Sequence, residues 1–220
     1  MKPYIIAEIG SCHLGDPAIA FALIEECKKA GADAVKFQLF PNIPKFTDSG
    51  NVHCSADLYF AAASYAKEVG IECSASVFDI MSLNFLLSTN PPWVKFAYSM
   101  KDEAGNLAVA SDVKQDIIIS SDVMGARDPR GDGIKYLFCI PRYPVYEKLS
   151  FAGIFPRFDG FSDHTLGIFQ SINAVKAGAK IIEKHVRLPR QQYECPDARF
   201  AISTDELKEM CDTIRIIAGD

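Results

Sequence analysis

Eight short apolar runs punctuate the chain, at residues 4–10, 32–38, 71–76, 93–98, 116–120, 134–140, 158–162 and 180–186. They lack the polar alternation of a half-solvated strand, so they read as strands of a buried parallel sheet. Between them lie segments with helical spacing of apolar residues, over 16–30, 56–69, near 79–87 and over 166–177; an amphipathic stretch over 204–217 closes the chain. Asp16-Pro17 is a capping side chain followed by a proline at the first helical position, and Gly31 is the matching stop. Ser203 and Thr204, with Glu206 soon after, announce the last helix.

The count of eight decides the architecture. Neither the first nor the last strand has the polar character an open sheet's edge needs, so the expected fold is α/β, a compact (β/α)8 TIM barrel. Between Ser121 and Ile134 the stretch VMGARDPRGDG is too rich in glycine and proline for a full helix, so the fifth crossover is expected to be a shortened loop. No linker or low-complexity segment interrupts the series, and residues 1–220 are expected to form a single barrel domain.

Composition narrows the function classes. A formal net charge of −5 leaves no basic surplus for a nucleic-acid backbone. No apolar run approaches the roughly 20 residues that cross a bilayer, and the N-terminus opens on a strand pattern without a signal-peptide layout. A cytoplasmic protein without membrane or nucleic-acid partners is expected. The seven cysteines are irregularly spaced, with no CxxC pair and an odd total, so a disulfide framework is not expected. Most should be small buried hydrophobes, although Cys12 lies in a loop motif and could face a pocket.

In a parallel barrel the chemistry gathers at the C-terminal strand ends. Polar residues stand at every one: Glu8, Lys36 and Gln38, Ser74 and Ser76, Lys95 and Tyr98, Ser120 and Ser121, Arg142 and Tyr143, Ser162, Asp163 and His164, then Glu183, Lys184 and His185. Alternation puts Lys36 and Gln38 on one face of their strand and Lys95 on the like face of its own, so two lysines can converge. Left unpaired they would repel, and an anionic ligand is the simplest compensation. His164 and His185 sit one strand–helix–strand step apart, at adjacent strand ends, within reach of a common ion; a structural role for both is the competing reading. His13 is a further candidate in the loop after the first strand, whereas His53 lies in a polar loop and reads as solvated.

These residues match a known pattern. AEIGSCHLGD resembles the AEIGxNHxGD opening of the N-acetylneuraminate (sialic acid) synthase family, and GADAVKFQ, FSDHTLG and IEKHV are similar to three further motifs of that family in the same order. Fainter echoes run through CSASVFD, WVKFAYS, IIISSDVM, FCIPRYP and ECPDARFAIS, so the resemblance covers nearly the whole chain. It implies a barrel that joins carbon 3 of phosphoenolpyruvate to the aldehyde of an N-acyl sugar, releases phosphate, and uses a divalent metal such as Mn2+. By the same resemblance His164 and His185 would hold the metal; Lys36, Ser76, Lys95, Ser120 and Ser162 would bind phosphoenolpyruvate with Tyr143 close by; Glu8 and Asp197 would meet the sugar. Glu8, Lys36, Lys95, His164 and His185 are the expected catalytic set.

Several positions depart from the family pattern. Cys12 replaces an asparagine, Ser76 a threonine and Val77 a proline; Tyr98 occupies the serine position after Lys95, and Pro141 that of an asparagine near Tyr143. The acidic residue expected beyond the fourth strand is out of register, with Met100 in its place and Asp102 and Glu103 nearby. Family members usually add a C-terminal antifreeze-like domain that reaches over a partner subunit; here a homo-oligomer or a separate lid-supplying partner is expected to cover the mouth. The alternatives are a related keto-sugar-acid synthase with a phosphorylated acceptor, a degenerate barrel that binds a sugar or phosphate without reacting, and an unrelated barrel enzyme such as a Schiff-base aldolase.

Overall fold

A computed structural model describes residues 2–40, 54–123, 133–155, 157–191 and 195–219. Eight parallel strands follow one another around a closed ring: β1 (Tyr4–Glu8), β2 (Ala34–Leu39), β3 (Glu72–Val77), β4 (Trp93–Phe96), β5 (Asp116–Ser121), β6 (Ile134–Cys139), β7 (Gly160–Asp163) and β8 (Ile181–Arg187). Each pairs with the next, and β1 pairs with β8 from Tyr4↔Ile181 to Glu8↔His185, which closes the barrel. The two-residue β9 (Ile202–Ser203) adds to the end of β8 through Val186↔Ile202.

Helices α1 (Pro17–Lys29), α2 (Ala56–Val69), α3 (Ile80–Ser88), α4 (Ala104–Ala110), α5 (Phe169–Lys176) and α6 (Thr204–Ala218) wrap the outside. Their ends follow from local chemistry. The Asp16 side chain accepts from Ala18 N at the head of α1. Asp79 and Ser82 form a reciprocal box at the head of α3, as do Ser203 and Glu206 at the head of α6. Gly70 and Gly219 end α2 and α6 in the left-handed conformation. The expected loop of the fifth crossover lies, from residue 124 to 132, outside the described residues, as does His53.

The sixth crossover, between β6 and β7, carries no helix among the described residues, a departure from strict alternation. Pro141 and Pro144 remove backbone donors just after β6. In place of a helix, Val145 N donates to His164 O (2.9 Å), and Phe151 and Phe158 pack their rings on Phe161 and Phe138. Among the described residues no helix is long and apolar enough to cross a membrane.

Strand alternation divides the side chains into two populations. Outward residues such as Ile5, Val35, Phe37, Phe96, Phe161 and Ile182 join the helices in the main core. Inward residues build a second, smaller cluster, Ile6, Ala34, Trp93, Ile118 and Leu137, which fills the lower barrel. Beneath it Trp93 Nε1 donates to Tyr4 Oη (3.0 Å) and Tyr4 donates to Glu72, so the bottom is sealed.

Candidate active site

Above that apolar floor the next inward positions are polar. Glu8 stands level with Lys36 and with His185, Ser76 with Gln38 and Lys95, and Ser162 with Glu183. Together with Ser120, Cys139, Tyr143 and His164 they line an inner chamber of about 30 Å³. It opens into an outer cavity of about 470 Å³ whose walls include Gln38, Tyr98, Tyr143, His185, Asp197, Arg199 and Phe200. Every residue expected to act, namely Glu8, Lys36, Ser76, Lys95, Ser120, Tyr143, Ser162, His164, His185 and Asp197, thus surrounds one mouth.

The inner chamber is a charge network. Lys36 Nζ contacts the Glu8 carboxylate, donates to Ser76 Oγ at 2.7 Å and lies 3.6 Å from Glu183 Oε2. Lys95 Nζ donates to Ser120 Oγ at 2.8 Å and lies 3.7 Å from Glu183 Oε1, which also accepts from Ser162 Oγ at 2.7 Å. Burial pushes the Lys36 ammonium down to about 8, helped by repulsion from Lys95 and opposed by Glu183. Burial alone would raise the Glu183 carboxyl, but Lys36 and Lys95 outweigh it and hold the group well below the usual carboxylate range.

The expectation of unpaired lysines awaiting an anion is therefore corrected. Glu183 lies between the two ammonium groups and compensates both, with Glu8 as a second partner of Lys36. Sequence reasoning placed Glu183 at a strand end without giving it a role. The signal was available: it stands two residues before His185 on the same strand, hence on the same inward face.

The histidines face each other with ring centroids 5.7 Å apart. His164 Nδ1 lies 3.0 Å from Ile140 O; a carbonyl can only accept, so the proton is on Nδ1 and Nε2 keeps its lone pair. Burial, then the charge of His185, hold His164 down at about 4, so the ring is neutral at pH 7. His185 Nδ1 lies 3.5 Å from Asp197 Oδ2. Asp197 is held at about 2: burial opposes its ionisation, but His185 and the Ser11 N–H (2.7 Å to Oδ2) favour it more. Gly10 makes this approach possible, since its φ is +53° and a Cβ there would fall 2.2 Å from Asp197 Oδ2. His164, its ring oriented by a carbonyl, and His185, with the Asp197 carboxylate nearby, offer the imidazole nitrogens that a divalent cation takes. A third His, Cys, Asp or Glu does not complete a cluster with them among the described residues.

Other polar strand-end residues turn away from the mouth. Lys184 and Asp163 alternate outward and pair at 3.2 Å behind the barrel. Ser121 donates to Val123 O and Arg142 pairs with Glu147 on the surface, whereas Ser74 shares the inward face of Ser76 and is held lower by its bond to Trp93 O. His13 is buried beside the Phe37 ring, with Nδ1 accepting from Gly15 N, and does not line the mouth. Cys12 packs in the core rather than facing a pocket. Asp102 is exposed beside Lys101, and neither it nor Glu103 replaces the missing acidic residue. Phe200 was not foreseen; its ring lies 4.8 Å from that of His185 and roofs the histidine pair.

A family model described as "NeuB family" matches residues 135–219. An uncharacterized protein, MJ1065, of Methanocaldococcus jannaschii is 32% identical over 97% of this chain and 70% of its own length. The N-acetylneuraminate-9-phosphate synthase of Mus musculus is 29% identical over 97% of this chain and 70% of its own. Among solved structures, the N-acetylneuraminic acid (sialic acid) synthetase of Leptospira borgpetersenii, in complex with citrate, superposes with a TM-score of 0.83 at 25% identity, covering 100% of this chain and 86% of that one.

Proposed function

The chain belongs to the NeuB family, and from that premise we propose that it condenses phosphoenolpyruvate with the aldehyde of an N-acyl sugar to give a sialic-acid-like keto sugar acid and phosphate. One observation carries the reading: two buried lysines, each bonded to a serine hydroxyl, converge with a histidine pair in a blind mouth. Lys36 with Ser76 and Lys95 with Ser120 offer two cation–hydroxyl pairs, the complement of a small ligand bearing both phosphate and carboxylate. The inner chamber, about 30 Å³, admits little more than one or two waters as it stands. The anion would enter from the outer cavity and take the place of Glu183 and Glu8 as partner of the ammonium groups. The displaced carboxylates are then free to accept a proton from the water that adds at carbon 2. Asp197 and Gln38 face the outer cavity, where sugar hydroxyls would meet them.

A divalent cation, Mn2+ by family resemblance, would be held by His164 and His185 and would act as a Lewis acid toward the aldehyde oxygen. Phe200 and Tyr143 shield that position from bulk water. Tyr143 is itself 57% exposed at the rim, which suits a covering surface from a second copy or a separate partner.

The second reading, a barrel that binds without reacting, is favoured by the lysines' existing carboxylate partners and the small inner chamber. One experiment separates the two: phosphate release from phosphoenolpyruvate with Mn2+, screened over N-acyl sugars and their phosphates. Sugar-dependent release that is lost in His164→Ala supports synthesis. Saturable phosphoenolpyruvate binding without release under any acceptor supports the binding protein.

A further inference from the structure

Of the seven buried thiols, two sit sulfur to sulfur: Cys12 Sγ and Cys195 Sγ are 2.7 Å apart. Cys12 follows β1, in the loop that carries Gly10 and Ser11, and Cys195 precedes the 3-10 turn Pro196–Arg199 that carries Asp197. Two cysteines packed only as hydrophobes would rest at van der Waals distance, whereas these need to close by only about 0.7 Å to reach a disulfide bond length. The flanking backbone already holds them in register. Ser11 N donates to Asp197 Oδ2 at 2.7 Å, Asp197 N donates to Ser11 Oγ at 3.3 Å, and Gln191 Nε2 donates to Cys12 O at 2.8 Å. We propose that Cys12 and Cys195 form a peroxide-oxidisable pair whose disulfide ties the Asp197 segment to the loop after β1.

Cys195 is the attacking sulfur: it is the less buried of the two, and the hydrogen bond it shares with Cys12 lowers its thiol against the effect of burial. Its thiolate takes one oxygen of hydrogen peroxide, the O–O bond breaks, and the second oxygen leaves as water after gaining a proton. The Cys12 sulfur then attacks the Cys195 sulfenic acid, the S–O bond breaks, and a second water leaves with the Cys12 proton. Two thiols are oxidised by two electrons and one peroxide is reduced to two waters. The bond would fix Asp197 beside His185 and Phe200 over the mouth. Its formation is independent of the proposed synthesis, so a chain with no synthase activity would still show it.

The test uses the full chain, treated with a few equivalents of hydrogen peroxide, then denatured, alkylated, digested and mapped by mass. The expected product is one joined peptide pair containing Cys12 and Cys195, lighter by two hydrogens, with five of the seven thiols still alkylated. Dithiothreitol should reverse it. Oxidised protein should melt about 5 °C or more higher, as expected for a bond closing so long a loop. Amide exchange over 195–201 should slow roughly tenfold, and neither effect should occur in Cys12→Ala. Seven free thiols after peroxide, a sulfinic Cys195 beside an alkylated Cys12, or a bond joining other cysteines would each overturn the proposal. Should Cys12→Ala fail to fold, the wild-type peptide map decides alone.

Discussion

Two neighbouring residues of β8, Glu183 and Lys184, place the same chemistry on opposite sides of one strand. Outside the barrel, Lys184 meets Asp163 and donates to Thr165 O, while Asp163 accepts from Thr165 N, Thr165 Oγ1 and Ser171 Oγ. That pair is bonded on both sides, and neither residue lines the inner chamber or the outer cavity. Inside, Glu183 shares two lysines at more than hydrogen-bond distance, its Oε2 is buried without a hydrogen-bond partner, and the group borders open space. Burial of charge alone marks neither as functional. The difference is spare bonding capacity aimed at a cavity, which a protein keeps at a cost in stability only where a ligand uses it.

That contrast can be broken by substitution. The largest effect belongs to the outer pair: Lys184→Met leaves Asp163 buried without its cation and should lower stability by roughly 3–5 kcal/mol, which thermal unfolding reads as a drop of about 10 °C. The mirror change inside, Lys95→Met, should cost kcat/KM at least about 100-fold in the phosphate-release assay, with the melting temperature unchanged or raised. Similar melting losses in both variants would erase the distinction between the two sites.

A pH profile sharpens the comparison further. Lys36 is charged below about 8 and neutral above it. An anion held by the charged form is held best below that pH, so kcat/KM for phosphoenolpyruvate should fall about tenfold per unit on the alkaline side. Lys36→Arg, which stays charged, should remove that limb even if overall activity is lower. The smallest expected effect is that of Ser162→Ala, which removes one hydrogen bond to Glu183 and should reduce kcat/KM about fivefold with little change in melting temperature.

The barrel and most of its mouth were legible because both rest on period-two alternation. Alternation put Lys36 and Lys95 on like faces of their strands, so their convergence followed, while Ser162 and His185 came from strand-end position and the family resemblance. What alternation could not supply was distance across the barrel, so the placement of Glu183 between two lysines stayed hidden and the lysines looked unpaired. It also could not rank polar residues of one strand: Asp163 and Lys184 looked as chemical as Ser162 and His185 until the phase of the pleat was known. The sixth crossover was obscured for another reason. Its core residues, Phe151 and Phe158, bury themselves from an irregular chain and follow no period.

The sealed floor formed by Trp93, Tyr4 and Glu72 has a bearing on traffic. A vessel with one opening imposes a queue. Whatever rests on Lys36 and Lys95 must pass Tyr143, Phe200 and Asp197 on the way in, and a larger molecule lodged at that rim bars the passage behind it. Occupancy from the bottom upward is the only sequence that fills both positions, so initial-rate kinetics should show a compulsory order with the small anion first and the bulky sugar second. Excess sugar should then inhibit by occupying the neck too early.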